Sequence, residues 1–387
     1  VSTTWKDDYS NVIMKSAALP FAELVRGEGC YVWDSEGKRY LDFLAGIAVN
    51  ALGHAHPVFV RAISEQAAKI AHVSNYFATP PQLELAARLL RLTGAGDGGR
   101  VFFGNSGAEA IEAAIKLARR TERPRILSFK NSFHGRTMGS LSLTGKPALR
   151  EPFEPLLPNI EHIDTTVEAL ESAMGSDVAA VVIEPIKGEA GVIDLPDGFL
   201  EAARRITTEH GALLILDEIQ TGAGRTGSWF AFQRYGITPD AIALAKGIGG
   251  GVPIGALVTF GAASDLLLAG QHGTTFGGNP LATATANAVL GEIERAGLVE
   301  NAARRGAELR TAIASLPHVE EVRGAGLLIG VGLDAPIAPA VVAAAMDAGL
   351  IINAPNESSI RLAPPLIVGD TEIAQFLESF GAVLEAS

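Results

Sequence analysis

Short continuous apolar runs punctuate the middle of the chain, and helical segments lie between them. The runs "RVFF" (100–103), "RILSF" (125–129), "AAVVIEP" (179–185), "ALLILDE" (212–218), "AIALAK" (241–246) and "GALVTF" (255–260) predict strands. "AEAIEAAIKLARR" (108–120) and "GFLEAARRITTEHG" (198–211) predict helices, with Gly211 well placed to stop the second. Strands that are apolar throughout have no face for water, so the pattern predicts a parallel sheet covered on both sides. The chain ends read differently. Residues 28–45, "EGCYVWDSEGKRYLDFLA", predict a hairpin of "YVWD" and "RYLDFL" about a turn at 35–37. From about residue 285 the pattern becomes α+β, with helices around 285–314 and 337–348 and strands near 326–333 and 359–363. The expected fold class is α/β. A large domain over 46–284 carries a mostly parallel sheet flanked by helices, and a smaller α+β domain combines 1–45 with 285–387. No internal repeat or low-complexity linker interrupts the pattern.

Composition agrees and narrows the function. With 48% hydrophobic and 19% charged residues, 387 positions suffice for a large core and two or three domains. Thirty-one basic against 43 acidic residues give a net charge of −12 with no Lys/Arg cluster, which argues against a nucleic-acid partner. No apolar run is long enough to suggest a membrane span. No cationic start precedes an apolar stretch, so a secretory leader is not expected and a cytoplasmic location is. Cys30 is the single cysteine, which excludes an intrachain disulfide and a zinc site built on Cys pairs. It reads as a small buried hydrophobe, and no metal is expected.

In open parallel sheets, ligands bind beyond the carboxyl ends of the strands, and the informative residues fall there. In "FFGNSGAEA" (102–110) a strand runs through Asn105, Ser106 and Gly107 into a helix. A helix N-terminus offers free N–H groups and partial positive charge to a phosphate; Ser106 could equally do no more than cap it. The stretch is neither G-x-x-x-x-G-K-[ST] nor G-x-G-x-x-G, so ATP and dinucleotides gain no support. In "LLILDEIQTG" (213–222) Asp217 ends an apolar strand, where its carboxylate needs a partner such as a buried cationic N–H. Glu218 should point to the opposite face and serve a structural hydrogen bond or ion pair. In "AIALAKGIGGGVPIG" (241–255) Lys246 ends an apolar run before a glycine-rich loop. A strand-end lysine can simply snorkel to the surface. In a dry pocket its amine would instead lose proton affinity and become a nucleophile toward aldehydes, able to form a Schiff base. A helix-end phosphate site, a strand-end Asp and a strand-end Lys together match pyridoxal 5′-phosphate, through its phosphate, its pyridinium N–H and its aldehyde. That combination outweighs the snorkelling alternative.

These residues carry a family resemblance. Through "NSGAEA" (105–110), "FHGRT" (133–137), "EPIKGEAG" (184–191), "DEIQTGAGRTG" (217–227), "LAKGIGGGVPIGA" (244–256) and "HGTTFGGNPL" (272–281), the chain resembles the class III (ω-amino) aminotransferases of the pyridoxal-phosphate type I fold. The resemblance implies a homodimer with shared active sites and Lys246 as the catalytic residue. It assigns Ser106, Gly107, Ala108, Phe133, Glu184, Asp217, Ile219, Gln220 and Thr275 to the cofactor. Phe133 would stack on the ring, though a core aromatic reads the same. Gln220 would lie near the ring's phenolic oxygen, though it could be an ordinary loop hydrogen-bonder. Glu184 would hold the hydrogen-bond network near Asp217, and Thr275 would reach the phosphate across the dimer interface. On the substrate side the resemblance implies Thr274, Arg136 for a carboxylate, and Arg361 paired with Glu189 as a switch. The pair closed suits a distal amine; opened, Arg361 takes the second carboxylate of 2-oxoglutarate. His134 and Arg225 are expected to be structural.

Within that family "LDFLAGIAVNALGHAHP" (41–57), "VSNYFATPPQLELAARL" (73–89) and "GLIINAPNESSIRLAPPLIV" (349–368) are most similar to the acetylornithine aminotransferase branch. The implied reaction converts N2-acetyl-L-ornithine and 2-oxoglutarate to N-acetyl-L-glutamate 5-semialdehyde and L-glutamate by ping-pong kinetics, in arginine biosynthesis. Ser74, Asn75 and Tyr76 are candidates to line the acyl pocket. Succinylornithine, ornithine and 4-aminobutyrate aminotransferases are the near alternatives, and an aminomutase would need no free oxo acid. A decayed, non-enzymatic binder should first lose Lys246, Asp217 or Arg136, and all three are present. A nicotinamide dehydrogenase lacks its glycine fingerprint.

Overall fold

A computed structural model describes residues 4–16 and 18–387; residues 1–3 and 17 of the expected N-terminal segment lie outside the described residues. Its centre is a seven-stranded sheet in the order Arg100–Gly104, Gly255–Thr259, Ala241–Leu244, Leu213–Asp217, Val178–Ile183, Arg125–Phe129, Ile160–Ile163. The last five run parallel. Gly255–Thr259 is antiparallel to both neighbours. The sheet is therefore mostly parallel, with "GALVTF" the exception. Only the glycine-rich loop after Lys246 separates it from Ala241–Leu244, and a connection without a crossover helix returns antiparallel.

Both faces of the sheet are covered, and alternate residues of each strand supply the two cores. Leu214 and Leu216 join Phe199, Leu200, Ala203 and Ile206 of the helix Phe199–His210 on one face. Ile215 joins Ile111, Ala114 and Ala118 of the helix Gly107–Arg119 on the other. Each of these Leu and Ile side chains contributes about 1.5–3 kcal/mol on burial. Gly211 ends the helix Phe199–His210 at φ +63°, a left-handed conformation that glycine adopts without a Cβ clash.

The predicted hairpin forms between Tyr31–Asp34 and Arg39–Asp42 and gains a third strand, Leu24–Glu28. Leu350–Ile351 pairs parallel with Arg39–Asp42, so the two chain ends share a sheet. A second small sheet orders Val319–Ala325, Leu328–Leu333, Ser359–Leu362 and Asn353–Asn356. The helical stretch expected at 285–314 is two helices, Pro280–Arg295 and Leu298–Ile313, broken at Gly297 with φ +61°. The first crosses the expected boundary at 284/285 and packs on the helices Pro57–Ala67 and Pro80–Thr93. Among the described residues no helix is long and apolar enough to cross a membrane.

Candidate active site

The carboxyl ends of the parallel strands open on a cavity of about 340 Å³, as the topology requires. Asn105, Ser106, Gly107 and Ala108 line it from the start of the helix Gly107–Arg119. Ser106 does cap this helix, its Oγ accepting from the Glu109 N–H at 3.2 Å. The first-turn N–H groups of Gly107 and Ala108 have no acceptor within the helix. A Cβ on Gly107 would come within 2.7 Å of Ile219 Cδ1, so glycine keeps the helix end open beside Ile219, another lining residue.

Asp217 ends its strand with 5% exposure. Its Oδ1 accepts from the Ile219 N–H at 3.1 Å and its Oδ2 lies 2.8 Å from His134 Nδ1. Among the described residues no lysine or arginine pairs with it, so an imidazole N–H holds this carboxylate. His134 Nε2 is buried with no hydrogen-bond partner. Glu184 Oε1 accepts from the Phe133 N–H at 2.8 Å, which fixes the backbone under the Phe133 ring. Burial pushes the Glu184 carboxyl up to about 7. Glu218 faces away, accepting from the N–H groups of Ala231 and Phe232 at 3.0 and 2.8 Å and from the Thr221 hydroxyl. That is the structural role expected of it.

Lys246 sits at φ +47°, in a conformation that costs a non-glycine residue about 1–3 kcal/mol. Its strand ends at Leu244, and the tight turn Lys246–Ile248 puts it at the cavity wall beside the end of the Asp217 strand. Burial lowers its amine to about 8, and the Arg361 guanidinium adds to this, although Glu189, Asp217 and Glu184 pull the other way. Snorkelling would have left the amine in water, and this one is desolvated at the cavity wall.

Arg361, on the strand Ser359–Leu362 of the small sheet, is 1% exposed. It pairs with Glu189, donates to Asn353 Oδ1 at 2.8 and 3.1 Å, and donates to Gln220 Oε1 at 3.2 Å. Burial alone would raise the Glu189 carboxyl, but the Arg361 charge and hydrogen bond outweigh it and hold the carboxyl low. A Cβ on Gly188 would fall 2.0 Å from Gln220 Oε1, so glycine lets the Glu189 turn approach Gln220 without displacing its amide. Arg136 is exposed, with its guanidinium 5.6 Å from the centre of the Phe133 ring and no ion pair among the described residues.

The cavity thus gathers Ser106, Gly107, Ala108, Phe133, Glu184, Asp217, Ile219, Gln220 and Lys246. Arg361 and Glu189 join it through Gln220, and Arg136 through Phe133. Thr274 touches its rim, its Oγ1 accepting from Asn105 Nδ2 at 3.2 Å. Thr275 is exposed and lines no wall of this cavity, nor do Ser74, Asn75 and Tyr76. Asn75 instead donates to the Thr274 and Gly277 carbonyls at 3.1 and 3.2 Å. Cys30 is buried, and Arg225 is buried against the Leu327 and Pro364 carbonyls.

The profile of the family described as "Aminotransferase class-III" matches residues 13–384. The chain belongs to the class-III aminotransferases. It is 50% identical to the acetylornithine aminotransferase of Streptomyces coelicolor, over 97% of this chain and 94% of the relative. The acetylornithine aminotransferase of Mycobacterium leprae is 49% identical over 100% and 96% of the two chains. Among solved structures, an ornithine aminotransferase from Toxoplasma gondii, described as partially occupied by PLP at its active site, superposes with a TM-score of 0.93. It is 32% identical, and the match covers 98% of this chain and 93% of that one.

For a class-III aminotransferase the residue that the sequence reading undervalued is His134. Expected as structural, it lines the cavity and holds Asp217. Its adjacency to Phe133 in "FHGRT" was the one available hint. Nothing in the sequence pairs positions 134 and 217, because the fold alone brings their loops together.

Proposed function

We propose that this class-III aminotransferase is an acetylornithine aminotransferase, moving the δ-amino group of N2-acetyl-L-ornithine to 2-oxoglutarate with pyridoxal 5′-phosphate as cofactor. The observation that carries the chemistry is the convergence of a helix N-terminus, the Asp217 carboxylate and the lowered Lys246 amine on one cavity. The choice of substrate follows the matches, about half identical over nearly the whole chain, to proteins of that name.

The donor set fits the cofactor. The helix end at Ser106, Gly107 and Ala108, kept open by the missing Cβ of Gly107, would take the phosphate. Asp217, with no lysine or arginine partner among the described residues, would take the ring N–H, with His134 steadying its other oxygen. Phe133 would stack on the ring, and Gln220 would reach the oxygen beside it. When bound, the cofactor supplies an electron-accepting ring that makes the hydrogen on the amine-bearing carbon of an attached substrate acidic.

The chain's own residues then have distinct tasks. Lys246 Nζ would hold the cofactor at its aldehyde. With substrate bound, the same amine would move the proton at the donor's δ-carbon as general base and acid. Arg136, exposed at the mouth, offers a two-pronged donor to the donor's α-carboxylate. Glu189 occupies Arg361 while the donor is bound, and its withdrawal frees Arg361 for the second carboxylate of 2-oxoglutarate. Both half-reactions share one set of residues, so ping-pong kinetics follow.

The same reading includes a homodimer in which Thr275 serves the partner's phosphate site. Exposure of Thr275 supports it, as do the outward aromatic rings around it. Tyr76, Phe77 and Phe276 are 91%, 67% and 61% exposed, more apolar surface than water favours. Glutamate formation by purified, cofactor-loaded protein tests the reading. Acetylornithine with 2-oxoglutarate should give the highest kcat/KM among acetylornithine, succinylornithine, ornithine and 4-aminobutyrate. Preference for another donor would contradict it.

A further inference from the structure

A second cavity, of about 620 Å³, borders the Gly188–Ala190 turn and shares no lining residue with the first. Lys130, Lys146 and Lys187 line it, with Asp164, Thr165 and Glu189. Lys130 is neutralised by Asp164 at 2.8 Å. Among the described residues the other two ammonium groups hydrogen-bond only to neutral acceptors. Lys187 is 7% exposed, and its Nζ donates to the Lys130 carbonyl at 2.8 Å and the Thr165 hydroxyl at 2.6 Å. Lys146 is half-buried and donates to the Glu189 carbonyl at 2.5 Å. The Glu189 carboxylate is already taken by Arg361. Glu184 acts on both lysines through space but opens onto the first cavity, while the Asp164 carboxylate acts on Lys187 and the Glu189 carboxylate on Lys146 without bonding to either ammonium.

An ammonium carries three N–H donors, so Lys146 and Lys187 both have donors to spare. Burial lowers the proton affinity of both. Desolvated cations that no carboxylate bonds directly weaken the fold unless an anion offsets them. Two such cations in one cavity, with room for several carbon atoms, specify more than an inorganic ion.

We propose that this cavity is a second ligand site, which binds a small di- or tricarboxylate through Lys146 and Lys187. Lys146 also holds the backbone of Glu189, the residue that occupies Arg361. An occupant that draws Lys146 away therefore shifts the Glu189–Arg361 pair and changes the affinity for 2-oxoglutarate. That consequence rests on the function proposed above; binding itself does not.

Citrate titrated calorimetrically into the cofactor-loaded protein tests the site. Glutamine at 146 and 187 keeps an N–H donor and removes the charge. The double variant K146Q/K187Q should weaken citrate binding by about tenfold or more, and inorganic phosphate should bind the wild type more weakly than citrate. Should the double variant fail to fold, K146Q alone should show a smaller loss of the same sign. The proposal falls if citrate does not bind, if the variants bind it as tightly as the wild type, or if phosphate matches citrate. Acetylornithine turnover is scored separately, so failure of the site and failure of the proposed reaction are distinguishable.

Discussion

Lys246 concentrates the physical argument at the scale of a single residue. Its backbone is strained and its amine is lowered to about 8, features that a snorkelling lysine would not need. Lys246→Ala should reduce turnover by about 10⁴-fold or more, beyond what loss of general-base catalysis alone removes; a variant turning over normally would contradict the assignment. The pH dependence has a definite sign. The neutral amine is the nucleophile, so covalent uptake of pyridoxal phosphate by the apoprotein should speed up with pH through about 8 and then level off. A midpoint near the ordinary lysine value of about 10.4 would contradict it. Between those two values the unfolded chain binds more protons than the folded one. This group's contribution to apoprotein stability therefore rises with pH over that window, and its penalty is full below about 8. Lys246→Met should accordingly raise the apoprotein's Tm at pH 7. Lys246 and Asp217 were legible in the sequence because each stands where an apolar run stops. The partnership of Asp217 with His134 was not, since it joins loops that only the folded sheet brings together.

At the scale of elements, the strands beneath the site place glycines where any side chain would move the helix end. A Cβ on Gly255 would lie 2.1 Å from the Ser106 carbonyl oxygen, a backbone atom that cannot swing aside. Gly255→Ala should therefore cost about 1–3 kcal/mol, seen as a lower Tm, and should weaken pyridoxal phosphate binding as the Ser106 cap shifts. Unchanged values for both would mean that the helix end tolerates displacement. The long apolar strands and the two helices packed on them were readable from the sequence, because burial on both faces leaves no polar interruption. Ile160–Ile163 was not, because Glu161 and His162 break its apolar run at the sheet edge. Val319–Ala325 was hidden for the same reason, with Glu320 and Glu321 exposed and Arg323 interrupting its apolar pattern. The antiparallel direction of Gly255–Thr259 is a property of its connection rather than of its residues.

The whole molecule joins parts that lie far apart along the chain. Arg361 comes from the small sheet and Glu189 from a turn beyond the central one, and their pairing spans 172 positions. Glu189→Gln should loosen this pair, lowering the KM for 2-oxoglutarate while raising that for acetylornithine. Parallel changes in both constants would contradict a switch. In the proposed homodimer, Thr275 and the exposed rings near it would meet the partner. Sedimentation should give the mass of two chains, and a monomer with full activity would contradict the shared site. The central claim is that one cavity runs both half-reactions on acetylornithine and 2-oxoglutarate. Its most direct test is the visible absorbance of the pyridoxal-phosphate-loaded protein, recorded before and after adding N2-acetyl-L-ornithine and again after adding 2-oxoglutarate. The account predicts that the bound cofactor's long-wavelength band is lost with the first addition and restored by the second. A spectrum that acetylornithine leaves unchanged would contradict it.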